Sequence, residues 1–244
     1  MNDWSKEQGD LLESARRIVE THVHRAQGAI LAGSVLTSRR TKTSDLDIIV
    51  FVANGEESFR ETVQKLGWLA ELFVQTPSSF DFFVAQETAA RRSTLLSMCA
   101  EGAPLFSVDG TTERYQVESR RLLELGPPPL TKSELNQARY QLTDLLDDFA
   151  SVSDGMELIF ITSQILKMTT ELALSSDGQW LGTGKWLARR LQEWNPDLSA
   201  RLSDGVFAAL TVDDREELRS ITLNVLTGVG GPLSNGYRQS STEV

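Results

Sequence analysis

Gly126 and the three prolines that follow it, at 127, 128 and 129, restrict the folding of this chain more than any other feature. Proline has a fixed φ and no amide hydrogen, so three in a row fit neither a helix interior nor a central strand. Such a run is extended and semi-rigid, as suits a connection between folded units. It divides the 244 residues into two stretches of similar length, each able to bury a core. The division predicts one domain over residues 1–125 and a second over residues 130–229.

The two stretches differ in hydrophobic pattern. Residues 6–25 place Leu11, Leu12, Ala15, Ile18, Val19 and Val23 at mostly three- and four-residue steps, the spacing of a helix. Residues 29–32 form a short apolar run closed by Gly33 and Ser34, and a polar, basic loop follows over 37–44. Residues 45–52 read as a buried strand rich in branched side chains, ended by Gly55. Residues 56–66 read as a helix, 69–75 as a strand stopped by Pro77, and 80–85 as a third strand. Helices are expected over 87–100 and 113–125. Beyond the prolines nothing reads as a strand, and five helices are expected, over 130–149, 156–174, 184–194, 196–206 and 212–226. The expected fold class is α+β: a short mixed sheet flanked by helices, followed by a helical bundle. The tail over 230–244 is rich in Gly and Ser, and disorder is expected there.

Composition excludes several classes of function. A net charge of −10 opposes broad, sequence-independent binding of nucleic acid, which needs a basic footprint. It is compatible with a cationic small-molecule ligand, and equally with simple solubility. The most apolar runs, 48–52 and 80–85, have strand length, so no membrane span is expected. The first residues lack a basic start followed by an apolar block. Cys99 is the only cysteine, which rules out an internal disulfide and points to a reducing, cytoplasmic setting. His22 and His24 are the only histidines, and they sit at a polar helix end. Surface placement is expected for them, and neither a zinc site nor a Ser-His-Asp hydrolase is supported.

The chemistry is concentrated between Gly33 and Val50. Strand alternation puts Asp45 and Asp47 on one face, with Leu46 on the other. Two such carboxylates suit magnesium, which is commonly held by one or two carboxylates together with a substrate's phosphates. They could also help seat two ions roughly 3.5–4 Å apart, as in two-metal phosphoryl transfer. Upstream, Gly33 permits close approach of the backbone to a phosphate, and the amides and hydroxyl at Ser34 can donate to it. Asp81 stands alone among Phe80, Phe82, Phe83 and Val84 in what reads as a strand. A buried charge there would be costly, and a metal ion or an acceptor hydroxyl would relieve it. Asp81 is thus a candidate metal ligand or general base, the alternative being an acid facing water from an edge strand.

On Gly33, Ser34, Asp45, Asp47 and Asp81, in that order and local context, the sequence resembles the nucleotidyltransferase superfamily typified by DNA polymerase beta. Within it, the chain is similar to the aminoglycoside and lincosamide nucleotidyltransferases, over roughly residues 28–85. The resemblance implies an N-terminal nucleotidyltransferase domain fused to the helical bundle, with the active site in a cleft between them. It implies transfer of a nucleoside monophosphate, AMP from ATP or the equivalent from another triphosphate, to a hydroxyl of a small, aminoglycoside-like acceptor. Two Mg2+ ions would be held by Asp45, Asp47 and Asp81, and nucleotide by Gly33, Ser34, Ser44 and Lys185. Lys185, in Gly182-Thr183-Gly184-Lys185, takes the place of a triphosphate-binding lysine at a helix start, or else merely solvates that helix. One departure stands out. Relatives often carry an Arg-Gly pair shortly after Gly-Ser, whereas this chain has Thr37 and Ser38. Arg39, Arg40 or Lys42 could supply the charge, or could form a solvated loop. Two further readings are an enzyme that attaches AMP to a partner protein, as antitoxin-type members do, and a nucleotide-binding regulatory module without catalysis.

Other features carry less. Gly182 to Lys185 does not make a P-loop, because Trp186 follows the lysine and no strand precedes the run. Asp144, Asp147 and Asp148 form a helical face that is either hydrated or lines an acceptor pocket, and Glu157 and Glu171 stand similarly. Trp180, Trp186 and Trp194 are expected in the bundle core.

Overall fold

A computed structural model describes residues 3–41 and 43–238, with side chains from Leu11 onward. The chain forms two compact units, Met1–Gly126 and Pro127–Val244.

The first unit is built on a five-stranded sheet of order β3-β4-β2-β1-β5. Its strands are β1 (Gly28–Ala32), β2 (Leu46–Phe51), β3 (Phe59–Lys65), β4 (Trp68–Gln75) and β5 (Ala103–Ser107). Only β2 and β4 run parallel; the other neighbours are antiparallel, so the sheet is mixed. Alternation along the strands divides the side chains cleanly between two faces. Leu46, Ile48 and Val50 of β2, with Leu72 and Val74 of β4, join Leu11, Ala15 and Ile18 of α1 (Asp3–His22) in one buried core. The opposite face carries Asp47, Ile49 and Phe51. Near Phe51 it is covered by α2 (Pro77–Ala89) and α4 (Thr111–Leu125): the Phe51 ring stacks on Tyr115 at 4.0 Å and meets Phe80 edge-on at 6.2 Å. Between them, α3 (Thr94–Glu101) buries Leu95, Leu96 and Cys99.

Besides the helix expected over 87–100, which breaks at Arg91 (φ 55°), three segments differ from expectation, each for a local reason. Residues 59–65 form a strand rather than part of a helix. Phe59 and Val63 are four apart, a spacing that serves one face of a helix or of a strand equally well. The turn decides it: Leu66 and Gly67 both have positive φ, 52° and 82°, the backbone of a two-residue hairpin turn, and Lys65 pairs with Trp68 across it. Residues 80–85 are helical rather than a strand. Thr76 caps α2 by accepting from the Ser79 amide at 3.1 Å, Ser79 Oγ accepts from the Thr76 amide at 3.0 Å, and Pro77 occupies the first turn. This reciprocal cap, with proline where its missing N–H costs nothing, starts a helix that outweighs the β-leaning run of phenylalanines. Phe80 and Val84, four apart, are its buried residues. Residues 103–107 form β5 although Pro104 interrupts them; the strand lies at the sheet edge and its register shifts beside that proline, where proline is tolerated.

The second unit is helical: α5 (Lys132–Ser151), α6 (Gly155–Ser176), α7 (Lys185–Trp194), α8 (Pro196–Val212) and α9 (Glu216–Gly228). Its core joins Leu142 and Phe149 of α5, Ile165 and Leu172 of α6, Leu191, Leu202, and Leu218 and Ile221 of α9. Thr169 and Thr222 hydrogen-bond to each other inside it at 3.2 Å, since a buried hydroxyl without a partner would be costly. Trp194 packs partly against the core, but Trp186 is exposed and stacks with Arg189 at 4.5 Å instead. Part of the tail expected to be disordered is tied to α5. Arg139 donates to the carbonyls of Gly230 and Gly231 at 2.6 and 2.7 Å, the Leu233 amide donates to Thr143, and Tyr237 stacks on Tyr140 at 4.3 Å. Residues 239–244 of that tail lie outside the described residues. Among the described residues no helix is long and apolar enough to cross a membrane.

The cap on α2 yields a direct test. Thr76→Ala should destabilise the protein by about 1 kcal/mol, read as a lower urea midpoint. An unchanged midpoint would show that α2 does not depend on this cap.

Candidate active site

The turn after β1 places its residues against β2. Ala32 pairs with Asp47 across the antiparallel β1–β2 ladder, so Gly33 follows directly beside that acid. Gly33 has φ 91° and ψ −177°, a region essentially restricted to glycine. A Cβ built at Gly33 would run into the Asp47 carboxylate. The aspartate therefore rests against the glycine backbone, in space that any side chain would fill. Ser34 begins a one-turn 3-10 helix, Ser34–Leu36. Its hydroxyl lies 3.2 Å from that of Ser44, which also accepts from the Thr41 amide at 2.9 Å. Ser44 thereby ties the basic loop back to the Gly-Ser turn, just before the two aspartates. Asp45 immediately precedes β2, and both acids are half-buried.

Asp81 does not join them. It is exposed on α2, and the group it affects is Tyr115, whose phenol is pushed up first by burial and then by the Asp81 charge. Tyr115 stacks on Phe51, at the far end of β2 from Asp47. Four residues of strand, roughly 13 Å, separate Asp47 from Phe51. The expected cage of Asp45, Asp47 and Asp81 is thus not formed, because the segment bearing Asp81 is a helix placed at the other end of the strand. Among the described residues no group of three or more His, Cys, Asp or Glu side chains is arranged to hold a metal ion.

The acid beside Asp47 is Glu71. The parallel β2–β4 register pairs Asp47 with Glu71 directly, which points both side chains to the same face. Glu71 is 19% exposed and accepts from Arg60 Nε at 2.5 Å. Arg60 also lies over the Phe73 ring at 4.9 Å. Its guanidinium is held even more firmly charged, first by the hydrogen bond to Glu71, with a smaller contribution from the Asp47 charge. Two carboxylates on neighbouring strands repel each other, and Arg60 offsets that repulsion. The sequence offered the signal in Ala70-Glu71-Leu72, an acid between apolar residues within a strand. What distinguishes it from Asp81 is the helix-start pattern Thr76-Pro77-Ser78-Ser79 that lies between the two.

The donor set suits magnesium in one specific way. Asp45 and Asp47 are hard oxygen donors, the latter resting against the Gly33 backbone, and magnesium ordinarily completes its shell with phosphates and water. Among the described residues no third ligating side chain joins them, so an ion there would take its remaining ligands from elsewhere.

Other candidates fall elsewhere. Arg39 is exposed, Arg40 stacks over Trp68 at 5.4 Å, and Lys42 lies outside the described residues. His22 Nε2 sits 2.7 Å from a Glu61 carboxylate oxygen, linking α1 to β3. In the second unit, Lys185 is exposed as the first residue of α7, after Gly184 with φ 51°. Asp144, Asp147, Asp148 and Glu157 are all exposed. Asp148 and Glu157 border an open depression of about 620 Å³ that also holds Met156 and Phe160.

No family model matches the chain, and no curated protein matches it. Among solved structures it is similar to a nucleotidyltransferase-like protein from Exiguobacterium sibiricum 255-15. The identity is 11%, the TM-score is 0.49, and the match covers 89% of this chain and 75% of that one. The functional reading therefore rests on the side-chain geometry.

Gly33→Ala should be costly twice over, through its positive φ and through collision with Asp47. A loss of about 1–3 kcal/mol is expected in thermal or urea unfolding. Stability equal to wild type would remove the constraint placed on this turn.

Proposed function

We propose that this protein is a magnesium-dependent nucleotidyltransferase that moves a nucleoside monophosphate, AMP from ATP or its equivalent, to a hydroxyl of a small molecule. The observation that carries the reading is the Asp47 carboxylate seated on Gly33 with Glu71 in register beside it. In this reading the amides around Gly33 and Ser34 bind the triphosphate, and Ser44 holds their loop in place. Asp45 and Asp47 bind magnesium together with the phosphates. The metal, when bound, neutralises charge on the phosphates and polarises the α-phosphorus. Glu71 takes the place that the sequence assigned to Asp81. It accepts the proton of the acceptor hydroxyl, while Arg60, released from Glu71, binds phosphate oxygens. The hydroxyl oxygen attacks the α-phosphorus, the bond to the bridging oxygen breaks, and pyrophosphate departs with that electron pair. The acidity of the chain accords with a magnesium-bound rather than lysine-rich phosphate site.

Labelled ATP with Mg2+ and panels of small alcohols, aminoglycosides and proteins tests this. Asp47→Asn should abolish transfer. Glu71→Gln should reduce it by about 10²-fold or more, and Asp81→Asn should leave it within about twofold of wild type. Circular dichroism should confirm that all three remain folded. Loss of activity in Asp81→Asn with retention in Glu71→Gln would reverse the assignment. Label on protein rather than on a small molecule would replace the acceptor class.

A further inference from the structure

A cavity of about 260 Å³ lies on the same sheet face as the acids, entirely within the first unit. Phe73 and Gln75 of β4 form its floor, Phe83 and Glu87 of α2 and Leu95 and Met98 of α3 form its walls, and Arg60 stands at its mouth. Phe73 follows Glu71 by two residues, roughly 6.7 Å along the strand, and Arg60 touches both. The cavity and the acids are therefore neighbours, joined by one largely exposed side chain.

Strand order gives this arrangement a direction. The Gly-Ser turn leaves β1, the aspartates lie on β2, Glu71 on β4, and the cavity against β4 and β3. The Gly-Ser turn and the cavity thus lie on opposite sides of the acids in strand order. We propose that the cavity is the acceptor subsite, and that it takes a single apolar or aromatic ring whose pendant hydroxyl faces Glu71. This rests on the nucleotidyltransferase reading above and specifies its acceptor.

Size and lining support one ring system rather than a polycationic sugar. The volume falls below the roughly 300–1,000 Å³ typical of sites for drug-sized ligands. Phe73, Phe83, Leu95 and Met98 offer apolar and aromatic surface, and Met adapts to irregular ring shapes. Two polar groups can orient a substituent. Gln75 is 6% exposed and its amide oxygen accepts from Ser79 at 2.7 Å, leaving its N–H groups as donors. Glu87 accepts from the Leu95 amide at 2.9 Å and is the one carboxylate in the lining, too few for several ammonium groups. In the transfer the ring alcohol's O–H proton passes to Glu71, its oxygen bonds to the α-phosphorus, and pyrophosphate leaves with the electrons of the broken bond.

The test uses the full chain labelled with 13C at the methionine methyl groups, with the Met98 signal assigned through Met98→Leu. Benzyl alcohol and cyclohexanol, at about 10 mM, should shift the Met98 methyl, whereas kanamycin should not. Transfer of AMP to these alcohols should fall by about tenfold or more in Met98→Trp, which fills the cavity. The same loss should appear in Thr94→Trp, which blocks the cavity from an exposed rim if the first variant folds poorly. Calorimetry with Mg·ATP runs alongside. If Mg·ATP binds and the ring alcohols leave Met98 unmoved, or kanamycin alone moves it, the acceptor assignment is overturned while the nucleotide reading stands. If Mg·ATP does not bind, both fall.

Discussion

The contact between the Asp47 carboxylate and the Gly33 backbone is what the rest of the site depends on. It exists because β1 and β2 are antiparallel neighbours with Ala32 opposite Asp47, so the chain leaving β1 must pass directly beside that acid. Only glycine fits there, for reasons of both backbone conformation and space. The Ser34–Ser44 contact then holds the two ends of the intervening loop together, which keeps the turn and the acids at a fixed separation.

The second constraint is the single parallel pair of strands. Because β2 and β4 run the same way with Asp47 opposite Glu71, an acid on each is presented to the same face. Their mutual repulsion is tolerated because β3 contributes Arg60. That arginine stacks on Phe73, so the acidic centre and the apolar cavity beside it share a boundary. Electrostatics and packing are thereby coupled through one side chain: whatever draws Arg60 away from Glu71 changes both the charge at the acids and the mouth of the cavity.

Much of this was legible in the sequence, and what was not has physical causes. The Gly33–Ser34 turn and the strand that carries Asp47 were readable because they depend on local pattern: a small turn closing an apolar run, and a run of branched side chains. The helical second half was readable from apolar spacing alone. The third acid depended on telling a strand from a helix in two apolar runs of similar length. Residues 80–85 carry phenylalanines that favour a strand, yet the cap formed by Thr76 and Ser79, with Pro77, commits them to a helix. Once that cap is recognised, Asp81 leaves the sheet and Glu71 is the remaining acid flanked by apolar strand residues. Strand β3 was obscured because Phe59 and Val63 have a spacing common to both structures. Strand β5 was obscured by Pro104, which is compatible with a strand only at an edge or a shift in register. Arg139 and its bonds to the carbonyls of Gly230 and Gly231 could not be foreseen, since they join residues about ninety positions apart in sequence.

In the proposed function, divalent metal enters with nucleotide at Asp45 and Asp47, with Glu71 next to them and Asp81 remote. Paramagnetic line broadening measures this most directly, using 15N-labelled protein titrated with Mn2+ in the presence of ATP. Amide signals of Gly33, Ser34, Asp47 and Glu71 should broaden first, while those of Asp81 and Tyr115 persist. Broadening centred on Asp81 and Tyr115, or none at the Gly33 turn, would contradict it.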